Sequence, residues 1–432
     1  MVASILMYVM KQLLSLLLFY LFTVCSAMGQ PGRTLIFKPS IHTVRLMVDG
    51  NVENFPVLTL KGQESLQLSF DDLTPEYVRY TYKVEHCDFE GQPSSELFES
   101  DFLYSVADEE VIEDYAQSRN TTVLYTHYTL TLPNQRLRPL LSGNYRITVS
   151  DEDEEGNERK AFACYFAVVD QKVGIQAQCS TDTEVDHNVS HQQLTLKLDC
   201  SNLTLRNAQD EVKLLVMQNR RLDNAILGVP PTAQSGNLLL WEHSRSLIFD
   251  AGNEYRKMEI LSTRYPGMHG ESVRWFDPYY HYTLMTDYPR PNYLYDEDRN
   301  GLSVVRYETS GDADTEADYV MVHFALDTPK FPQDENVYVS GRWTTGLQPA
   351  YKMTYNEEQQ QYVADLLLKC GYYNYIYLTS SDKQLGVGHT DKIEGNFFQT
   401  ENEYDILVYY RPTGTRYWQL VGCITPRYVR AK

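Results

Sequence analysis

The sequence predicts an all-β protein built from tandem Ig-like antiparallel β-sandwiches. The first observation is period-two alternation in short segments. Gln193–Asp199 sets Leu194, Leu196 and Leu198 on one face, and "HYTLTLP" sets Tyr128, Leu130 and Leu132. The second is punctuation: Asp49-Gly50, Ser142-Gly143-Asn144, Glu155-Gly156-Asn157 and Asn300-Gly301 mark tight turns between strands. The third is composition. The chain has 34 Tyr against 4 Trp, and Tyr favours half-wet strands where its ring is buried and its hydroxyl hydrated.

The 432 residues exceed one core and call for two or three domains. Residues 1–29 read as a signal peptide. Lys11 precedes an apolar run from Leu13 to Phe22, and Cys25, Ser26, Ala27 and Gly29 supply small residues for cleavage. The run is short for a membrane span of about 20 residues.

Residues 30–170 form the first predicted sandwich. "VRYTYKVEHCD" places Val78, Tyr80, Tyr82, Val84 and His86 on one strand face, and "NYRITVSD" alternates through Tyr145, Ile147 and Val149. Glu109–Gln117 reads as a short connecting helix. A second sandwich is assigned to 171–317, beginning after "VVDQKVGIQAQ". The acidic, small-residue stretch Thr309–Tyr319 reads as a linker. The third unit, 318–432, carries the strands "NVYVSG", "QYVADLLL" and "YYNYIYL".

The formal charge is −20, and loss of Lys11 with the signal makes it −21. Such a surface disfavours nucleic acid and anionic lipid. Six cysteines follow the signal: Cys87, Cys164, Cys179, Cys200, Cys370 and Cys423. They form no CxxC pair. Cys179 with Cys200 and Cys370 with Cys423 are the locally spaced disulfide candidates; buried free thiols are the alternative.

His86, Cys87 and Asp88 are the one cluster that suggests catalysis. Adjacent strand residues point to opposite faces, so His86 is badly placed to serve Cys87 as a base. The simpler reading makes His86 and Asp88 anchors of the following loop, with Cys87 packed as a small apolar residue. His187 and His191 are spaced i, i+4 but lack a third ligand. "DEDEEGNE" and "DEDRNG" resemble carboxylate loops without the spacing of a calcium site and read as exposed hairpin tips. No GxSxG or Walker A motif occurs. The sequence therefore predicts no catalysis, no metal and no cofactor.

Val337–Leu378, with Trp343 after a strand and a glycine, resembles early-set Ig-like modules related to glycogen-binding domains. That resemblance implies a sugar-stacking ring at Trp343, and makes a periplasmic glycan-binding protein the alternative function. A single ring makes a poor platform, and fold does not carry function.

Longer motifs point elsewhere. "HTVRLMVDG", "LSFDDL", "YTYKVEHCD…PSSEL", "IEDYAQSRNTTVLYTHYTLTLPN" and "SGNYRITV" run in order from His42 to Val149. They resemble the N-terminal domain of the plug protein family of the type IX secretion system. "DADTEADYVMVHFAL", "VYVSG", "YKMTYN" and "KCGYYNYIYL" resemble that family's C-terminal region. The family pattern has an acidic–tryptophan pair after His86-Cys87-Asp88, where this chain has Phe89-Glu90-Gly91, so Phe89 is expected to take over the tryptophan's loop contact. The resemblance implies a periplasmic location. It also implies a large outer-membrane β-barrel translocon as partner, and a role in occluding that barrel's periplasmic mouth when idle. His86, Asp88, Phe89 and Trp343 are the candidate loop anchors or partner contacts. No motif marks the docking face.

Overall fold

The computed structural model describes residues 32–74, 76–106, 110–308, 311–383 and 386–429. The predicted signal peptide lies outside the described residues. The protein is all-β, with mainly antiparallel sheets packed in pairs as three sandwiches; Val57–Thr59 with Glu158–Val169 and Tyr279–Leu284 with Tyr319–Leu326 are parallel pairs.

In the first sandwich, one sheet runs in the order Leu35–Ile36, Glu158–Val169, Gly143–Glu152, Thr81–Cys87, Glu110–Val111. The facing sheet runs Ile41–Val48, Leu66–Asp72, Thr126–Leu132, Asp114–Gln117. The alternating residues meet between them: Leu66, Leu68 and Phe70 face Tyr82, Val84, Ile147 and Val149. Phe70 stacks on Tyr128 at 5.0 Å and meets Phe162 edge-on at 4.8 Å. Such aromatic pairs add about 0.5–1.5 kcal/mol each beyond burial. The helix predicted from 109 to 117 does not form over its described part. Residues 110–111 and 114–117 are strands instead, because pairing with Thr81–Tyr82 and Thr126–Thr129 satisfies backbone groups that a short exposed helix leaves open.

The second sandwich is discontinuous. One sheet contains Gly174–Ser180, His191–Asp199, Leu238–Trp241 and Ala233–Ser235, with Ile248–Asp250 also paired to His191–Asp199. The other contains Ile226–Leu227, Val212–Gln218, Tyr404–Tyr410 and Gln419–Ile424. Leu194, Leu196 and Leu198 are fully buried with Leu214, Val216, Ile406 and Val408. Each such leucine contributes about 1.5–3 kcal/mol over its exposed state. Trp241 is buried with them and donates its indole N–H to Val229 O at 3.0 Å. The assignment of 318–432 to one unit is corrected here. The last strands complete the second sandwich, since without Tyr404–Tyr410 the apolar face of Val212–Gln218 has no partner.

The third sandwich sits inside that interruption. The long strand Gly371–Ser381 pairs with Arg256–Ile260, Ser303–Val305 and Glu335–Ser340. The facing sheet runs Gly270–Phe276, Tyr279–Leu284, Tyr319–Leu326, Gln361–Lys369, Thr354–Asn356. Segments assigned by sequence to the second unit, such as Arg256–Ile260 and Gly270–Leu284, thus belong to the same core as Val337, Tyr375 and Tyr377.

Candidate functional site

The cysteines give no nucleophile. All six are unpaired, and Cys87 is buried, its thiol pushed up to about 12 by burial. A thiol held protonated does not attack.

The residues around Cys87 instead build a joint. Tyr82, Val84 and His86 point into the first core. His86 Nδ1 lies 2.8 Å from Ser94 Oγ, Nε2 lies 3.3 Å from Ser142 O, and the ring meets Tyr145 and Tyr417 edge-on. Burial lowers its pKa to about 4, so the ring is neutral at pH 7. Asp88 Oδ1 accepts the N–H groups of Glu90 and Gln92, both at 2.9 Å, and closes the turn. Gly91 at φ 79° occupies the left-handed corner of that turn, where a side chain is strained. The turn presents Phe89 to the second sandwich, 4.8 Å from Trp418 and 6.4 Å from Tyr409. Asn144 reinforces this contact: its Nδ2 donates to Asp88 O at 2.8 Å and its Oδ1 accepts from Tyr409 OH at 2.9 Å.

A second joint, between the first and third sandwiches, has no counterpart in the sequence reading. Asp71 is fully buried. Its Oδ2 accepts from Lys369 Nζ at 2.6 Å and Tyr319 OH at 2.7 Å, and its Oδ1 lies 2.6 Å from His127 Nδ1. Burial opposes the carboxylate's charge, but Lys369 and His127 hold its pKa below the ordinary range. The stretch read as a linker is part of this joint. Over its described residues, Ala313–Glu316 forms a helical turn capped by Asp312. Asp314 pairs with Arg45 at 2.5 Å, and Asp318 accepts the N–H groups of Thr122 and Val123 at 2.7 and 3.0 Å. The stretch reads as a linker from sequence because the partners of Asp314 and Asp318, the Arg45 side chain and the Thr122 and Val123 N–H groups, lie about two hundred residues or more away.

Trp343 is half-buried. It donates Nε1–H to Asn374 O at 2.8 Å, with Tyr373 and Tyr351 edge-on to it at 5.3 and 6.2 Å. It is not the open, flat platform that the glycan reading requires. The structure also corrects one acidic loop: Asp298, Asn300 and Gly301 are not an exposed tip. Asn300 and Gly301 are buried, and Asp298 Oδ1 accepts from Asn300 N at 2.8 Å, its pKa pushed up to about 6 by burial. His191 sits 2.6 Å from Asp186, while His187 pairs with Asp182 at 3.0 Å. Among the described residues, no group of three or more His, Cys, Asp or Glu side chains is placed to hold a metal ion.

The surface shows a feature that alternation alone does not reveal. Eight of the exposed large apolar side chains among the described residues fall between 265 and 295: Tyr265, Met268, Trp275, Phe276, Met285, Tyr288, Leu294 and Tyr295. Trp275 and Phe276 end the edge strand Gly270–Phe276, whose outer side has no strand neighbour among the described residues. Exposed aromatics on an unpaired edge mark an association surface. The signal was present as "RWFDPYY", a dense aromatic run around a turn.

Residues 41–170 match the family model described as type 9 secretion system plug protein 1st domain. The chain is similar to a hypothetical protein from Parabacteroides merdae ATCC 43184, solved by crystallography at 2.30 Å. Identity is 40% and the TM-score 0.88, and the similarity extends over 92% of this chain, not all of it, and 100% of that one. No curated protein matches. Among the described residues, no helix is long and apolar enough to cross a membrane.

Proposed function

The chain belongs to the type IX secretion plug family, and from that membership we propose that it closes the periplasmic opening of a large outer-membrane β-barrel translocon between transport events. The role is non-catalytic and exercised in the periplasm after export. The observation that carries this reading is the pair of joints. Phe89 on Trp418 fixes the first sandwich to the second, and Lys369 on Asp71 fixes it to the third. A stopper needs a wide body that does not bend at its linkers, and three sandwiches cross-braced by buried contacts meet that need.

The aromatic stretch from 265 to 295 is the docking face of this proposal, with the edge strand Gly270–Phe276 at its centre. A rim of polar groups around a few aromatic anchors suits an association that must be released. The −20 charge keeps the undocked form soluble.

The test has two parts. Affinity capture of the chain from native envelopes in mild detergent is expected to recover a giant outer-membrane barrel. Cells lacking the chain are expected to admit bulky antibiotics or dyes that their parents exclude. Recovery of the chain alone, together with unchanged permeability, overturns the proposal.

A further inference from the structure

The three sandwiches touch pairwise, and a cavity of about 650 Å³ remains where they meet. Its size falls within the roughly 300–1,000 Å³ typical of small-molecule sites. Its apolar wall includes Ile36, Leu46, Phe55, Leu215, Leu222 and Leu407, contributed by two of the three units. Its charge runs against that of the molecule. Arg33, Arg45, Arg220, Arg221, Arg342 and Lys369 line it, against Asp223 and Asp365, in a chain of net charge −20.

Four of those cations are neutralised by carboxylates: Arg45 by Asp314 at 2.5 Å, Arg221 by Asp223 at 2.6 Å, Arg342 by Glu403 at 2.9 Å and Lys369 by Asp71 at 2.6 Å. Two are not. Arg33 makes no ion pair among the described residues, and its Nε donates only to Thr345 O at 2.8 Å. Arg220 donates to the backbone carbonyls of Glu53 and Asn54, and pairs with the buried Asp405 only loosely, Nε to Oδ2 at 3.8 Å. Its Nε is buried without a hydrogen-bond partner. Burial first, and then the neighbouring Arg342, lowers the Arg220 pKa to about 10; burial alone lowers that of Arg33. Arg33 is half-buried with no carboxylate paired to it, and Arg220 meets its only paired carboxylate beyond hydrogen-bond distance, so both retain donors that an added anion can take. Arg33 donates to Thr345 O and touches Gly346 in the loop that carries Arg342, and Arg342 is close enough to Arg220 to oppose its charge, so the three groups gather on one side of the cavity.

We propose that this cavity binds an amphiphilic anion, an acyl chain ending in a carboxylate or phosphate monoester. Its head lies among Arg33, Arg220 and Arg342, and its chain lies along the aliphatic wall. Guanidinium groups suit either head, because both present paired oxygens to the fork of donors. The site does not depend on the plug role. It places a ligand at the meeting point of all three units, where occupancy stiffens the block.

The test is calorimetric titration of the purified protein with dodecanoate and with dodecyl phosphate below their micellar concentrations, with dodecanol as the neutral control. Melting temperature is followed in parallel. One-to-one binding by at least one of the two anions is expected, with a rise in Tm and at least tenfold weaker binding of dodecanol. The tighter of the two anions identifies the head group. Arg33→Met and Arg220→Met are each expected to weaken binding tenfold or more. Arg33→Met should leave the unliganded Tm in place, since Arg33 makes a single backbone hydrogen bond. If Arg220→Met does not fold, Arg33→Met and the cavity-filling Ile36→Trp decide the matter. Absence of saturable binding by both anions, equal binding of dodecanol, or undiminished affinity in Arg33→Met overturns the proposal.

Discussion

Lys369 Nζ lies 2.6 Å from Asp71 Oδ2, across 298 residues of sequence, and neither side chain reaches solvent. Desolvation penalises both charges, so the pair is held by mutual attraction and by Tyr319, His127 and Asp314 O around it. Removing one partner strands the other. Asp71→Leu or Lys369→Met alone is expected to cost about 3–5 kcal/mol in urea unfolding, and the two together clearly less than the sum. Additive losses would show that the two groups act independently.

Phe89 and Trp418 form the other joint. Phe89 is half-buried, so Phe89→Ala is expected to cost about 2 kcal/mol, toward the lower end for aromatic truncation. A double-mutant cycle with Trp418→Ala should return a coupling of about 0.5–1.5 kcal/mol. A coupling of zero would mean that the contact does not join the sandwiches.

Acid should loosen the same region. The folded-state pKa of His86 is about 4, below the value near about 6.5 of an unfolded histidine. The neutral ring therefore contributes stability that is complete above pH 6.5 or so and is lost as pH falls toward 4. Its full extent is on the order of 3 kcal/mol. His86→Gln is expected to flatten the melting temperature against pH over that window. An unchanged slope would assign the acid sensitivity to other groups.

Glu254 works in the opposite direction. Burial raises its pKa to about 7, while Tyr293 OH and Glu401 N donate to Oε1 at 2.7 and 3.2 Å. The stability it contributes is complete below its unfolded value and disappears as pH rises through 7. Glu254→Gln keeps both acceptor contacts without the charge. It is expected to stabilise the protein at pH 8 by about 1–3 kcal/mol while changing little at pH 5. Equal effects at the two pH values would refute this.

Trp275 and Phe276 are 46% and 57% exposed, so Trp275→Ser with Phe276→Ser should move folding stability by no more than about 0.5 kcal/mol per site. The same protein is expected to lose co-purification with the outer-membrane barrel. Retained capture would move the docking face elsewhere.

The alternating leucines at 194, 196 and 198 and the run through Tyr145, Ile147 and Val149 made the strands legible, because period two is a local property of the chain. Which strands share a sheet is not local. The pairing of Val212–Gln218 with Tyr404–Tyr410 bridges nearly two hundred residues, and no turn signal announces it. The Glu109–Gln117 segment misled because its acids and single aromatic fit a helix as well as an edge strand. Asp314 and Asp318 misled because acidity reads as exposure until the cation or backbone donors they meet are known. Around His86 the loop-forming residues stood in one stretch of sequence, whereas Trp418, which receives Phe89, lies far downstream.

The insertion of one sandwich inside another sets a timetable for biogenesis. As the polypeptide emerges, the first and the inserted units each hold their own strands before residue 404 arrives, but the middle one waits for Tyr404–Tyr410 and Gln419–Ile424. A chain cut before Tyr404 therefore has an open, greasy sheet at its centre, a ready target for proteolysis. Only a chain that carries both of those strands can close the middle sandwich.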